Sequence, residues 1–241
     1  MADMRIAAAQ FDISGSISSN IAWIEKLARR AAEHKARLVV FPEAAITGYA
    51  PMHLPSPDQV NWAFLEEAKT QLCALAADLG LWLVIGSMSK PQQDQAPRLT
   101  AVVIDDKGNI TCEYDKRRLA PSEQGLYSAG QDRMTIQVDG MICGLMICHE
   151  HRFTEDFQAY KDDGAQVILQ PIYFANEKGT TPSGEMLEPR LRTRADDKDL
   201  WIVVSNSTGR HCPMPASIIR PDGSLKQAQR HRSGLIIDDV G

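Results

Sequence analysis

The sequence predicts an α/β (α+β) protein whose sheets are each covered by helices on one side. Three observations carry that expectation. Short apolar runs alternate with longer amphipathic ones, hairpin turns are mixed with strand–helix–strand crossovers, and no low-complexity linker or abrupt composition shift divides the chain. The last point implies a single domain over residues 1–241. A simple doubly wound sheet is the competing architecture.

Residues 5–11 read as a buried strand, and 20–34 as a helix, because Ile21, Ile24, Leu27, Ala28 and Ala31 recur at helical spacing. Residues 38–41 form a second buried strand stopped by Pro42. A helix over 61–79 ends at Gly80, which suits a helix C-terminus. Strands follow at 81–87 and 101–104, and Asp105-Asp106-Lys107-Gly108 turns the chain into a strand at 110–114. Strands at 134–138 and 141–147 flank Asp139-Gly140, and the second runs into Cys148. Next come a helix over 153–162, a strand over 166–170 and a polar helix over 188–198. Pro189 is tolerated there because a first-turn N–H has no helical acceptor to lose. Strands at 200–205 and 217–220, the turn Pro221-Asp222-Gly223 and a closing strand at 234–238 complete the pattern.

A chain of 241 residues, 44% hydrophobic and 24% charged, buries enough core to fold without staples. Its net charge of −5 argues against a nucleic-acid partner, and Lys116-Arg117-Arg118 is too short to be a polybasic tail. The cysteines Cys73, Cys112, Cys143, Cys148 and Cys212 contain no CxxC pair, which points to reduced thiols and a cytoplasmic setting. The run after Met1 is too short for a signal peptide, and no apolar stretch approaches the ~20 residues that span a bilayer.

Three reactive side chains stand just beyond buried strands: Glu43 after 38–41, Lys116 after 110–114, and Cys148 after 141–147. Ligands gather outside the carboxyl ends of strands in open α/β folds, so these three could share one pocket. Singly, each has an ordinary reading: a small core cysteine, a surface carboxylate, a solvated lysine. His149-Glu150-His151 could suggest a metal site, but an intervening turn would separate the ligands, and no metal or other cofactor is expected. His34, His53, His211 and His231 are isolated and read as surface or loop residues.

The residues around those three positions resemble the nitrilase superfamily of carbon–nitrogen hydrolases. Residues 39–49 (VVFPEAAITGY) are similar to its glutamate motif, 114–119 (YDKRRL) to its lysine motif, and 144–155 (GLMICHEHRFTE) to its cysteine motif. The resemblance runs from Arg5 to about Gly223, with Gln10, Asn20, Arg194-Ala195, Asn206 and Ser217 as further landmarks. It implies a four-layer α-β-β-α sandwich, a Glu43–Lys116–Cys148 triad without cofactor, Glu123 as a second pocket glutamate, and a homodimer or higher homo-oligomer. The helix over 153–162 carries Phe153, Phe157 and Tyr160, which offer a face for a partner copy. The chain stops at Gly241, so the C-terminal tail that crosses the dimer in many members is expected to be short here.

The chemistry follows from the residue types. Lys116 would favour the Cys148 thiolate, and Glu43 would take the proton as attack begins, provided burial raises its pKa toward that of a thiol. Lys116 and the His149 N–H would hold the oxyanion, and Glu123 would hold the amide nitrogen or orient water. The pocket walls are expected from residues 49–54, 123–127, 171–176 and 211–215, with Tyr49 and Tyr173 among the substrate-facing side chains. An amidase acting on a small amide is favoured, ahead of an N-carbamoyl amide hydrolase or nitrilase. A non-catalytic small-molecule-binding member of the fold and a redox pair of Cys143 with Cys148 are the readings from other classes. Departures from the family pattern are Arg118 for His, His149-Glu150 for Tyr-Asp or Trp-Glu, Thr154 for Pro, Leu99 for Asn and Asp196-Asp197 for Glu-Asn.

Overall fold

The computed structural model describes residues 3–91, 95–174, 182–210 and 212–241. In chain order its elements are β1 (Met4–Phe11), α1 (Ile17–Glu33), β2 (Leu38–Val40), α2 (Trp62–Leu79), β3 (Trp82–Ser89), β4 (Arg98–Ile104) and β5 (Ile110–Asp115). There follow β6 (Thr135–Val138), β7 (Met141–Leu145), α3 (Thr154–Asp162), β8 (Val167–Pro171), α4 (Pro182–Glu185) and α5 (Leu187–Lys198). Strands β9 (Trp201–Ser207), β10 (Ser217–Ile219), β11 (Leu225–Gln227) and β12 (Gly234–Val240) come last.

The strands build two faces that pack on each other. In the first, β1, β2 and β3 are parallel, β4 and β5 continue antiparallel, and β12 lies antiparallel on the far side of β1. In the second, β7, β8 and β9 are parallel, β6 pairs antiparallel with β7, and β10 and β11 extend beyond β9. The two are joined where Gln10 and Phe11 of β1 pair with Asn206 and Ser207 of β9.

Alternation along the strands decides the layers. Met4, Ile6, Ala8, Leu38, Val40, Val84, Ala101 and Val103 pack toward the second sheet. Their neighbours Ala7, Ala9, Phe11, Val39, Leu83, Ile85, Val102 and Ile104 pack under Ile24, Leu27 and Ala31 of α1 and Leu65, Leu72 and Leu75 of α2. On the outer side of the second sheet lie Phe157 and Tyr160 of α3 and Leu187, Leu191 and Ala195 of α5. The result is the four-layer α-β-β-α sandwich, with the two-sheet arrangement in place of a doubly wound sheet. Each fully buried large apolar side chain contributes roughly 1.5–3 kcal/mol, so the layers hold by area.

Local chemistry sets the boundaries. Helix α1 begins before the expected residue 20 because Ser16 caps it, accepting from the Ser19 N–H. Asn61 caps α2 in the same way, and Gly80, at φ 58°, ends it in the left-handed conformation. Strand β7 stops at Leu145, short of residue 147, because the Ile147 N–H is taken by the Glu150 carboxylate. Strand β11 was outside the sequence expectation.

The expected role of the aromatic face of α3 is overturned. Phe157 and Tyr160 do not face a partner copy; both are fully buried against the fold's own second sheet. The cause is Gly144 of β7, where a Cβ would stand 2.6 Å from the Tyr160 ring, so the missing side chain lets α3 press onto the sheet. Among the described residues no helix is long and apolar enough to cross a membrane.

Candidate active site

Glu43 sits where the chain leaves β2. Phe41 still donates to Val84 of β3 (2.8 Å), and Gly86 then donates to the Pro42 carbonyl (3.1 Å), which folds the Glu43 turn across β3. Lys116 follows β5, with its N–H on the Leu99 carbonyl (2.8 Å) and its own carbonyl accepting from Gly130 (2.9 Å). Leu99 makes this contact through its backbone, so the departure from Asn leaves it intact. Cys148 opens a short 3-10 turn between β7 and α3 at φ 42°, a left-handed conformation costly for a residue with a Cβ. Gln170 of β8 holds the turn by donating to the Cys148 carbonyl (3.3 Å).

These segments converge on one buried ammonium. Lys116 Nζ lies 2.7 Å from Glu43 Oε1 and 2.6 Å from Glu123 Oε1. The second Glu43 oxygen accepts from the Tyr173 N–H (3.0 Å). The Cys148 thiol lies 3.8 Å from the Tyr173 carbonyl oxygen. Glu123 receives the Tyr49 hydroxyl (2.8 Å) on Oε1 and the Ala120 N–H (2.6 Å) on Oε2. The structure thus brings Glu43, Lys116, Glu123 and Cys148 together.

Burial dominates the electrostatics. Desolvation pushes the Glu43 carboxyl up to about 7, against the pull of Lys116 in the opposite direction. Burial also raises the Cys148 thiol well above its ordinary value, and the Glu43 charge adds to this, so Lys116 alone does not make a resting thiolate. For Lys116, burial favours the neutral amine, but Glu43, Cys148 and Glu123 outweigh it and raise its pKa. The resting arrangement is a protonated thiol beside a carboxyl whose basicity suits neutral pH.

An aromatic wall borders this group. Tyr49 stacks between Tyr173 (5.0 Å between ring centres) and Tyr127 (6.3 Å). Tyr127 anchors the loop by accepting from the Ala50 N–H (3.1 Å). His53 is a correction: expected as an isolated residue, it accepts the Tyr49 N–H on Nδ1 (3.0 Å) and meets the Tyr173 hydroxyl through Nε2 (3.2 Å). With Nδ1 accepting, the neutral ring carries its proton on Nε2. No spacing in the sequence marks this contact, which joins residues far apart in the chain.

The flanking motif separates rather than gathers its ligand types. His149 is half-buried, its ring 5.9 Å from the Phe153 ring, and no acceptor for its backbone N–H occurs among the described residues. Glu150 turns away into the protein, and His151, buried beside Arg190 (3.4 Å), is held neutral, its pKa pushed by burial down to about 3. Cys143 lies in the core with its thiol pushed up to about 12 by burial. Of the expected pocket walls, residues 175–176 and His211 lie outside the described residues.

Comparison with known proteins places these features. An amidase from Nesterenkonia sp. superposes with a TM-score of 0.85 at 25% identity, over 99% of this chain and 90% of that one. A 2-oxoglutaramate amidase of Bacillus subtilis (strain 168) is 28% identical over 207 residues, 85% of this chain and 76% of its own. An omega-amidase of Homo sapiens is 26% identical over 216 residues, 86% of this chain and 75% of its own. The family model described as carbon-nitrogen hydrolase matches residues 5–241, and the chain belongs to that family.

Proposed function

We propose that this protein, as a single domain over residues 1–241, hydrolyses the C–N bond of a small amide through a thioester on Cys148. The observation that carries the reading is the buried Lys116 ammonium held between Glu43 and Glu123 beside a thiol in a left-handed turn. The relatives named as amidases support the amide over a nitrile as substrate.

Glu43 takes the thiol proton as Sγ bonds to the amide carbon, and the carbonyl π pair moves onto oxygen. Lys116 and the His149 N–H stabilise that oxyanion, each donor lowering the barrier by about 3 kcal/mol. The oxyanion collapses, the C–N bond breaks, and Glu43 returns the proton to the departing nitrogen. Water, deprotonated by Glu43, then attacks the thioester, releasing the acid and restoring the thiol. Glu123 receives three donors, which suits it to fixing Lys116 rather than to a second proton transfer. Tyr49 and Tyr173 form the wall against which the substrate chain rests.

Ammonia release from matched amide and nitrile pairs tests the reading, with faster turnover of the amides expected. Hydroxylamine should divert the acyl group to a hydroxamate, and mass spectrometry with a slow substrate should find it on Cys148. Faster nitriles, or acyl on another residue, overturn it. The free thiols at Cys73, Cys112, Cys143, Cys148 and Cys212 fit a reducing, cytoplasmic setting. A homodimer or higher homo-oligomer belongs to the same reading, and sedimentation at the 26.7 kDa of one chain would contradict it.

A further inference from the structure

Among the described residues, Glu150 is a buried carboxylate met only by hydrogen-bond donors. The Tyr114 hydroxyl lies 2.8 Å from both oxygens, and the N–H groups of Arg117 (2.7 Å) and Arg118 (3.3 Å) reach Oε1. The Ile147 N–H reaches Oε2. Among the described residues Glu150 makes no ion pair. Three of these donors flank Lys116 in the chain, and the fourth belongs to the residue immediately before Cys148. One side chain therefore ties the backbone that delivers the ammonium to the backbone that delivers the thiol.

The chemistry of the tie calls for a carboxylate. It offers about four lone-pair directions and no donor, which matches the donors that surround it. Bonds from neutral N–H and O–H groups to a charged acceptor are stronger than neutral ones, and burial removes the competing water. The side chains next door reinforce the same joint: Arg117 lies 2.7 Å from Asp156 of α3, and Arg118 lies 3.3 Å from its other oxygen. The short basic run is thus paired with carboxylates throughout.

We infer that Glu150 is a positioning residue for the reaction, fixing Lys116 against Cys148 so that the ammonium meets the oxyanion as it forms. The inference rests on the amide-hydrolysis reading above. Glu150 itself takes no proton and touches no substrate, because its oxygens are turned to Tyr114, Ile147, Arg117 and Arg118. Displacement of a reacting group by about 1 Å can cost on the order of a hundredfold in rate, so the joint is worth holding.

Glu150→Gln tests it, because the amide keeps the size but sets an NH2 group against an N–H or O–H donor. The expected result is a kcat lower by roughly tenfold or more with KM little changed, together with slower alkylation of Cys148 by iodoacetamide in protein that is still folded by circular dichroism. If the variant does not fold, Glu150→Asp decides: it keeps the charge but withdraws the oxygens, and the same joint loss is expected. An unchanged kcat and alkylation rate in a folded variant overturns the inference. So does a lower melting temperature with full kcat, or a change confined to KM. Alkylation needs no substrate: if no amide is turned over by the unaltered protein while alkylation still depends on Glu150, the amide reading fails and the positioning role stands.

Discussion

A Cβ on Gly86 would stand 2.5 Å from the Cα of Glu43, and closer still to the Pro42 carbonyl oxygen. The turn that carries the carboxylate therefore rests directly on β3, and it fits only because residue 86 has no side chain.

Gly86→Ala should push the Glu43 turn away from Lys116. The expected cost is about 1–3 kcal/mol of stability, as for overpacking, with a fall in kcat beyond what the unfolded fraction explains. Thermal melts and active-site-normalised turnover measure both. A variant with unchanged kcat would show that the turn can shift without moving the carboxylate.

The basicity of Glu43 sets a pH dependence. In the proposed mechanism its carboxyl must be ionised to take the thiol proton, and burial places it at about 7. The rising limb of kcat/KM should therefore have its midpoint near 7, well above an ordinary carboxylate at about 4.3. A rising limb at the ordinary carboxylate value would contradict the buried base.

Lys116→Met removes the ammonium but keeps much of the stem. Loss of an oxyanion donor predicts a kcat at least ~100-fold lower. A second effect distinguishes this from general damage: Lys116 pulls the Glu43 pKa down, so its removal should move the rising limb to higher pH. A rise in KM alone would make Lys116 a substrate-binding group instead.

His151 predicts acid lability. Its folded pKa of about 3 lies below the ordinary 6.5, so its contribution is present above pH 6.5 and is lost as pH falls toward the folded value. At pH 5 the loss amounts to about 2 kcal/mol relative to pH 7. Urea unfolding of His151→Gln at both pH values should show a smaller drop than the parent protein. An equal drop would assign the lability to other groups.

Most of the strands were legible because they are short apolar runs, and the positions of Glu43, Lys116 and Cys148 because each follows one. Glu43, Lys116 and Cys148 could be found together from sequence since the residues around them are as distinctive as the residues themselves. What stayed hidden depends on pairs remote in the chain. His53 meets Tyr173, and Gly86 yields to Glu43, through packing that no periodicity records. The helix over 153–162 shows its aromatic face plainly, but the depth at which α3 sits is decided by Gly144 on another element. Strand β11 has an exposed, weakly apolar pattern, so nothing in its composition announces it.

Glu43 and Lys116 follow strands of one sheet and Cys148 follows a strand of the other, so the reactive group is a seam between two layers. During synthesis the chain makes the acid and the ammonium long before the thiol, and β9 must still close onto β1 afterwards. The pairing of β1 with β9 is one of the contacts that hold the layer of Cys148 against the layer of Glu43 and Lys116. The site is therefore completed by contacts between residues remote in the chain, whose loop-closure entropy must be met before they form.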